Sequence, residues 1–533
     1  MLSTSHDTVD GMSEAMPEPN PVYAAALQAA CLNLSAQTSD LERLLDPIHA
    51  MQISPQQVSG LLKQVWLRLE ALRASETEVS GSAARHSELT RMLVQAFSCL
   101  HTGDTFSLAD AYAIFEQAYH VSLKVDSPAE RVAAIRAAQA QIAAVQLDYR
   151  RAGSLYAAAS TTPGLIEPLQ WRYRLQQAMA LEDMGRECMD DAALETSIGL
   201  YDTEVLTLAP RAKRPDDWAT TQHHLGNALG ALGQRQRGTL MLEKSIMAFK
   251  SALTVRSRER SALDWAASQN SLGVTLGILA HRRADTDMLG ESVNAFQWAL
   301  EERSRDRAPH DWAVTQSNLG AALRALGQRS QDRTLLKQAA EAYKNVLEVW
   351  TRARMPLEWA ATMDNLGTAL RLLGEHRNGP RTLEQAIAAF RSALAERTRL
   401  IVPQAWAMTQ NNLGAALHKL GERQHDAQPL EAAVHAYENA LDEWTRERTP
   451  MTWAMTLANL CAARKALAEL VGDAEIARRA LTDFRAVAEV FRDASHAQYY
   501  ELVIEQVALT KKLELALMNG EAGSERSDVP VPG

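Results

Sequence analysis

The chain is poor in cysteine and lacks any long apolar run. Only four cysteines, Cys31, Cys99, Cys188 and Cys461, occur in 533 residues, without a C-x-x-C pair or a histidine cluster beside them. This spacing excludes a disulfide framework and a zinc site, and it fits a reducing compartment. No stretch reaches the ~18 consecutive apolar residues of a transmembrane helix. The first residues, "MLSTSHDTVDGMSEAMPEPN", are acidic and polar and lack the apolar centre of a signal peptide, so the expectation is a cytoplasmic protein without membrane insertion. Basic charge is also short. A net charge of -10 argues against a general nucleic-acid partner, because neutralising a phosphate backbone takes a concentrated basic surface. Catalytic signatures are missing too: there is no G-x-S-x-G, no H-E-x-x-H and no P-loop. We therefore expect no enzyme, no bound metal and no cofactor.

Hydrophobic residues make up 46% of the chain, enough for a sizeable core, and they are organised by a repeat. Trp171, Trp218, Trp265, Trp312, Trp359, Trp406 and Trp453 are each separated by 47 residues. Counting from each tryptophan, position 7 holds Leu225, Leu272, Leu319, Leu366, Leu413 and Leu460, and position 14 holds Leu232, Leu279, Leu326, Leu373, Leu420 and Leu467. With position 11 mostly leucine, these residues form one stripe of an α-helix, which places the tryptophans in the core. An aromatic residue at position 31 (Phe249, Phe296, Tyr343, Phe390, Tyr437, Phe484) marks a second helix. Prolines 215, 309, 356, 403 and 450 stop one unit and open the next. The fold class is all-α, a solenoid of stacked antiparallel helix pairs.

The combination of Asn412, Leu413 and Gly414 with Leu417, Ala433, Tyr437 and Ala440 resembles the tetratricopeptide repeat. The resemblance covers residues 171–491 and implies a right-handed superhelix that binds protein or peptide on its concave face. The units exceed the family's usual length of about 34 residues and are similar to those of kinesin light chains and bacterial arrays. Gly414 and Ala433 lie 19 residues apart, which predicts a longer loop between the two helices. Ala111, Phe115 and Ala118, and again Ala152, Tyr156 and Ala159, look like degenerate second helices. The expected organisation is a disordered tail at 1–20, a helical region at 21–165, the array at 166–491, a capping helix at 492–520 and a second disordered tail at 521–533. Ser54 is the expected N-cap of a helix opening at Pro55.

Several recurring residues read as scaffold. Gly226, Gly273, Gly320, Gly367 and Gly414 sit inside the first helix, where glycine costs about 1 kcal/mol against alanine, so close approach of the partner helix is expected there. Gly233, Gly327, Gly374 and Gly421 are expected to end that helix in a left-handed conformation. Arginine recurs at position 40 (Arg211, Arg258, Arg305, Arg352, Arg399, Arg446), suited to the end of the second helix or to pairing with an acid such as Asp311 or Glu358. His223 and His224 are adjacent and point away from each other, the wrong geometry for one metal.

Two columns read as binding surface. Asn318, Asn365, Asn412 and Asn459 fill position 6, and the resemblance implies that this amide ladder faces the inner groove and can hold a peptide backbone. Arg324, Arg371, His418 and Lys465 fill position 12, a basic column that selects an acidic segment or a terminal carboxylate. The chaperone-type carboxylate clamp is not expected, because its lysine at position 5 is replaced by His223, Asn270, Ser317, Asp364, Asn411 and Ala458. The function expected is a scaffold or adaptor for a protein or peptide partner. The alternatives are a regulatory module in which residues 21–165 are gated by the array, and a homo-oligomer formed through exposed Trp298, Trp350 and Trp444.

Overall fold

A computed structural model describes residues 55–76, 79, 88–102, 105–125, 127–376, 380–494 and 496–520. Ser54, Cys31 and both terminal tails lie outside the described residues. Among those described, every regular element is helical. The helices preceding the tryptophan array are α1 (Pro55–Ala74), α2 (Glu88–Thr102), α3 (Thr105–Lys124), α4 (Ala129–Val145) and α5 (Tyr149–Ser160). Their shared core includes Leu62, Leu69, Phe97, Phe115 and Ile142, with Phe97 and Phe115 edge to face at 5.3 Å. The ends of α1 and α6 are tied by Arg68, which donates to Asp183 Oδ2 at 2.7 Å and to Tyr149 Oη at 2.9 Å.

The repeating pairs follow. First helices are α6 (Glu167–Glu187), α8 (Pro215–Arg235), α10 (Arg258–Arg283), α12 (Pro309–Ser330), α14 (Pro356–Glu375), α16 (Pro403–Gln424) and α18 (Pro450–Val471). Second helices are α7 (Asp191–Leu200, continued by a π turn at Tyr201–Val205), α9 (Leu240–Leu253), α11 (Thr286–Glu302), α13 (Arg333–Leu347), α15 (Arg381–Leu394), α17 (Ala427–Leu441) and α19 (Ala474–Asp493). Helix α20 (Ala497–Met518) packs on α19 and touches α18, and no described helix follows it. Five first helices begin on proline, whose missing N–H and fixed φ suit the first turn. In α10, which has no such proline, Ser261 breaks the helix at φ -152°.

The inner glycines behave as expected. A Cβ built on Gly226, Gly273, Gly320, Gly367 or Gly414 would meet the ring of Phe249, Phe296, Tyr343, Phe390 or Tyr437 within 2.7–2.9 Å. The outer glycines do not end their helices. Gly233, Gly327, Gly374 and Gly421 stay helical and make room for Leu242, Leu335, Leu383 and Leu430, while the left-handed residues are Ala284, Gln331, His425 and Gly472. The first helix thus runs on past the glycine. The longer loop expected between the paired helices is correspondingly absent: only His425 and Asp426 separate α16 from α17, so the extra residues lengthen helices instead. Asp285, Asp332, Asp426 and Asp473 then cap the second helices through their carboxylates.

First helices of neighbouring units touch one another, whereas second helices of neighbouring units make no comparable contact among the described residues. The stack therefore curves with the first helices on its inner face.

Candidate functional site: the seam between first helices

The seam between successive first helices is closed by side chains at fixed positions of the repeat. At its C-terminal end, Arg235, Arg282, Arg329 and Arg423 donate to the carbonyls of Gly185, Gln234, Ala280 and Gly374 near the end of the preceding first helix, at 2.8 to 3.1 Å. At its N-terminal half, position 3 carries a buried hydroxyl in every unit from Thr221 to Thr456, with Ser268, Thr315, Thr362 and Thr409 between them. Three arginines reach these hydroxyls from the loop before the helix: Arg256 donates to Ser268 Oγ at 2.8 Å, Arg303 to Thr315 Oγ1 at 2.9 Å and Arg397 to Thr409 Oγ1 at 2.9 Å. The same loop position, 38, is tryptophan in two other units, Trp350 and Trp444.

The asparagine column lies in this seam. Asn318 Nδ2 donates to Asn270 Oδ1 at 3.2 Å, Asn412 Nδ2 to the Asp364 carboxylate at 3.3 Å and Asn459 Nδ2 to Asn411 Oδ1 at 3.3 Å. In each case position 6 bonds position 5 of the preceding unit, so these three amides knit helix to helix. Asn365 would face Ser317 in this register, and its half-buried amide has no hydrogen-bond partner among the described residues.

The basic column divides in the same way. Arg371 pairs with Glu375, His418 Nε2 lies 3.3 Å from Glu422 Oε1, and Lys465 Nζ donates to Gln506 Oε1 at 3.1 Å. His418 and Lys419 together hold the Glu422 carboxyl down at about 2. Arg324 has Gln328 where Glu375 and Glu422 stand in later units, and no carboxylate lies within 4.0 Å of it among the described residues. Its guanidinium lies beside Tyr343, with Nε buried and unbonded. Of the eight residues expected to bind, Asn365 and Arg324 are the two without an amide or carboxylate partner at close range among the described residues, Arg324 meeting Tyr343 and feeling Asp364 only from beyond ion-pair distance, and both belong to the α12/α14 seam.

Position 12 is glycine in the two units before Arg324. Gly277 opens a largely apolar cleft of about 370 Å³ between α10 and α12, floored by Phe296 and edged by Asn318. Gly230 opens a more polar cleft of about 320 Å³ between α8 and α10, edged by Arg186, Asn227 and Asn270.

Charge burial concentrates in the seam. Asp364 and Arg397, 3% and 4% exposed, lie 3.7 Å apart; burial raises the Asp364 carboxyl above its ordinary range while Arg397 opposes that rise. His223 is pushed down to about 3 by burial, then by His224, Arg256 and Arg303, and His224 to about 4 by burial, then by Arg256 and Arg186. His223 sits edge-on to Phe249 and His224 stacks on Tyr201. Both are neutral, packed rings. Among the described residues, no group of three histidine, cysteine, aspartate or glutamate side chains could hold a metal, and no helix is long and apolar enough to cross a membrane.

Outside the seam, two expectations are corrected. The repeating tryptophans are half-buried rather than core: Arg211, Arg258, Arg352, Arg399 and Arg446 lie over Trp218, Trp265, Trp359, Trp406 and Trp453 at 5.0–5.8 Å. Five of the position-40 arginines, Arg258, Arg305, Arg352, Arg399 and Arg446, pair with acids near the end of the next second helix, as Arg352 with Glu396 at 2.6 Å and Arg446 with Glu489 at 3.2 Å, and not with Asp311 or Glu358, while Arg211 donates to Thr254 Oγ1 at 3.0 Å. The column is structural. Of the three tryptophans expected on the surface, Trp298 is exposed, Trp350 is half-buried and Trp444 is buried, its Nε1 donating to Gln404.

The tetratricopeptide repeat family model matches residues 312–349 and 406–443. No curated protein matches the chain. Among solved structures, a Rap protein complexed with competence and sporulation factor is 10% identical, covering 85% of this chain and 99% of its own, with a TM-score of 0.36. The human IFIT1 dimer with PPP-AAAA is 13% identical, covering 92% and 95%, with a TM-score of 0.41. The two directly matched segments span α12–α13 and α16–α17, and the pairs around them stand on the same 47-residue frame: the chain is a helical-repeat protein of the tetratricopeptide-repeat type.

Proposed function

We propose that the protein is a non-catalytic scaffold or adaptor whose inner face holds an extended, acidic segment of a protein partner. The observation that carries this reading is the pair at the α12/α14 seam: the Asn365 amide, without a partner among the described residues, can both donate to and accept from a peptide backbone, and Arg324 has no carboxylate within 4.0 Å among them, the buried Asp364 acting on it only from farther away. The other amides and cations of the two columns are paired inside the fold at hydrogen-bond or ion-pair distance, which leaves these two the most available to a ligand. A prearranged row of donors also spares the receptor reorganisation on binding.

The test is affinity capture with wild type and an Asn365→Ala/Arg324→Glu variant, followed by titration of the acidic segment of whatever partner is captured. Loss of that partner from a variant with unchanged helix content supports the reading. Equal capture by both proteins refutes it.

A second reading, in which residues 21–165 are gated by occupancy of the array, draws on Lys63 of α1. Burial lowers its ammonium pKa, and Asp311 and Glu358 at the starts of α12 and α14 pull it back up, which sets α1 within electrostatic reach of mid-array. If α1 gates the array, Lys63→Glu changes the affinity for the captured segment; unchanged affinity removes this reading.

A further inference from the structure

Two units of the seam are built alike and differ in one atom type. In the unit of Trp359, Arg397 donates to Thr409 Oγ1 at 2.9 Å, Asn412 donates to Asp364 at 3.3 Å, and the Asp364 carboxylate lies 3.7 Å from Arg397. In the unit of Trp265, Arg303 donates to Thr315 Oγ1 at 2.9 Å and Asn318 donates to Asn270 at 3.2 Å. Each residue has its counterpart, except that the carboxylate of Asp364 is the neutral amide of Asn270. Arg303 is left without its counter-ion. One unit earlier the same place is taken by His223, neutral at physiological pH, so Arg256, 8% exposed, also has no carboxylate within 4.0 Å among the described residues. The acids that do act on these guanidiniums, Asp216 and Asp264 on Arg256 and Asp311 on Arg303, do so from beyond ion-pair distance. Asp216, Asp264 and Asp311 are all solvent-exposed, so water screens them.

Arg256 is buried and donates to Asp264 O, Ser268 Oγ and Thr220 Oγ1, and half-buried Arg303 donates to Thr315 Oγ1, all of them uncharged acceptors. Two cations in adjacent units thus lack a counter-ion at close range and leave a deficit of negative charge at that place. The Trp359 unit shows what fills such a niche: one carboxylate, 3.7 Å from an arginine and accepting from an asparagine amide. Arg303 is half-buried, not enclosed, and Asn270 borders the polar cleft opened by Gly230, so solvent reaches the niche at these two residues, while Thr315, fully buried, accepts from Arg303 and donates to Asp311 O and so holds the guanidinium in place.

We infer that the niche formed by Arg303, Asn270 and Thr315, reinforced by Arg256, is a binding site for a carboxylate side chain of the partner segment. This inference rests on the reading of the inner face as a peptide-binding surface, and names a second contact point one unit before the α12/α14 seam. The site takes up the negative charge that Asp364 supplies internally elsewhere.

The deciding substitution is Asn270→Asp, which copies the Trp359 unit and fills the niche from within. Ala458→Asp adds the same charge at the same position of a distant unit in which position 38 is Phe491, buried in α19, in place of arginine. The probes are an end-blocked peptide of alternating Glu and Ser, its Gln counterpart, and inorganic phosphate, titrated by calorimetry against the full chain. The glutamate peptide is expected to bind wild type and the Ala458→Asp variant alike, the Asn270→Asp and Arg303→Gln variants at least ten-fold more weakly, and the Gln peptide to bind none of them. Without any probe, Asn270→Asp is expected to raise the melting temperature, and Ala458→Asp to leave it unchanged. Undiminished binding to Asn270→Asp overturns the site; if Asn365→Ala/Arg324→Glu still weakens that binding, the peptide-binding reading survives. Phosphate that displaces the peptide at equal concentration overturns the carboxylate assignment. A wild type that binds no acidic peptide overturns both.

Discussion

Gly367 on α14 lies against the ring of Phe390 on α15, so closely that a Cβ added to the glycine would stand 2.7 Å from the ring. Overpacking of this kind costs about 1–3 kcal/mol, against the ~1 kcal/mol that alanine gains over glycine in a helix. Gly367→Ala is therefore expected to destabilise by roughly 1 kcal/mol and at most about 2, net of those two terms. Gly199, exposed on α7 with nothing within 4 Å, should show the opposite sign. Denaturant midpoints of the two variants moving the same way would contradict the packing account.

The ends of α12 and α16 suggest an improvement. Gln331 and His425 hold φ near 53° and 51°, a region where a side chain is strained. Gln331→Gly and His425→Gly are each expected to stabilise by roughly 0.5–1 kcal/mol, the strain relieved less the entropy glycine loses on folding. Calorimetric melting of each variant checks this. A lower melting temperature for both would show that the side chains contribute more than their strain costs.

Acid sensitivity should trace to the α6/α8 seam. Glu182 is raised to about 7 by burial, opposed by Arg186, so between its ordinary 4.5 and 7 the folded state keeps a proton the unfolded state has lost, and stability falls as pH rises. His223 and His224 run the other way: below their ordinary 6.5 the unfolded chain takes protons that the folded chain refuses until about 3 and 4, so stability falls as pH drops. Two histidines outweigh one glutamate between pH 6.5 and 4.5. The melting temperature should decline on acidification through that window, and a His223→Gln/His224→Gln variant should show a shallower or inverted slope. Identical slopes would remove the histidines from the account.

Asn412 and Asn365 should separate fold from function. Asn412→Ala strips a donor from the buried Asp364 carboxylate and is expected to cost about 1–3 kcal/mol of stability. Asn365→Ala removes an amide with no internal partner and should leave stability within about 0.5 kcal/mol of wild type while weakening partner binding. Equal stability losses would mean that Asn365 also holds a seam.

The period, both helices of each unit and the inner glycines were legible in the sequence because each depends on one residue at a fixed spacing. Helix ends were not: Gly421 resembles a terminator, yet the turn that follows it, ending on Gln424, has enough packing against α17 to stay helical. The tryptophans share a stripe with the buried leucines, but at the start of the helix the stripe reaches the edge of the stack, and arginine covers what protrudes. The asparagine ladder was visible as a column, and its division into bonded and free members was not, since that depends on whether position 5 of the previous unit offers an acceptor. Position 38 escaped notice because it alternates between arginine and tryptophan. The hydroxyl column at position 3, polar residues on an otherwise buried helix face, was the available signal for it.

That alternation has a consequence for orientation. A frame of identical steps offers a chain laid along it the same fit at every register and in either direction. With cations at Arg256, Arg303 and Arg397, indoles at Trp350 and Trp444, and an acid at position 5 only in the unit of Asp364, the steps of the stack are not interchangeable, and they differ chiefly in buried side chains. Under the proposed function, Arg303 and Trp350, the half-buried members of the set, are where a bound chain would meet that asymmetry.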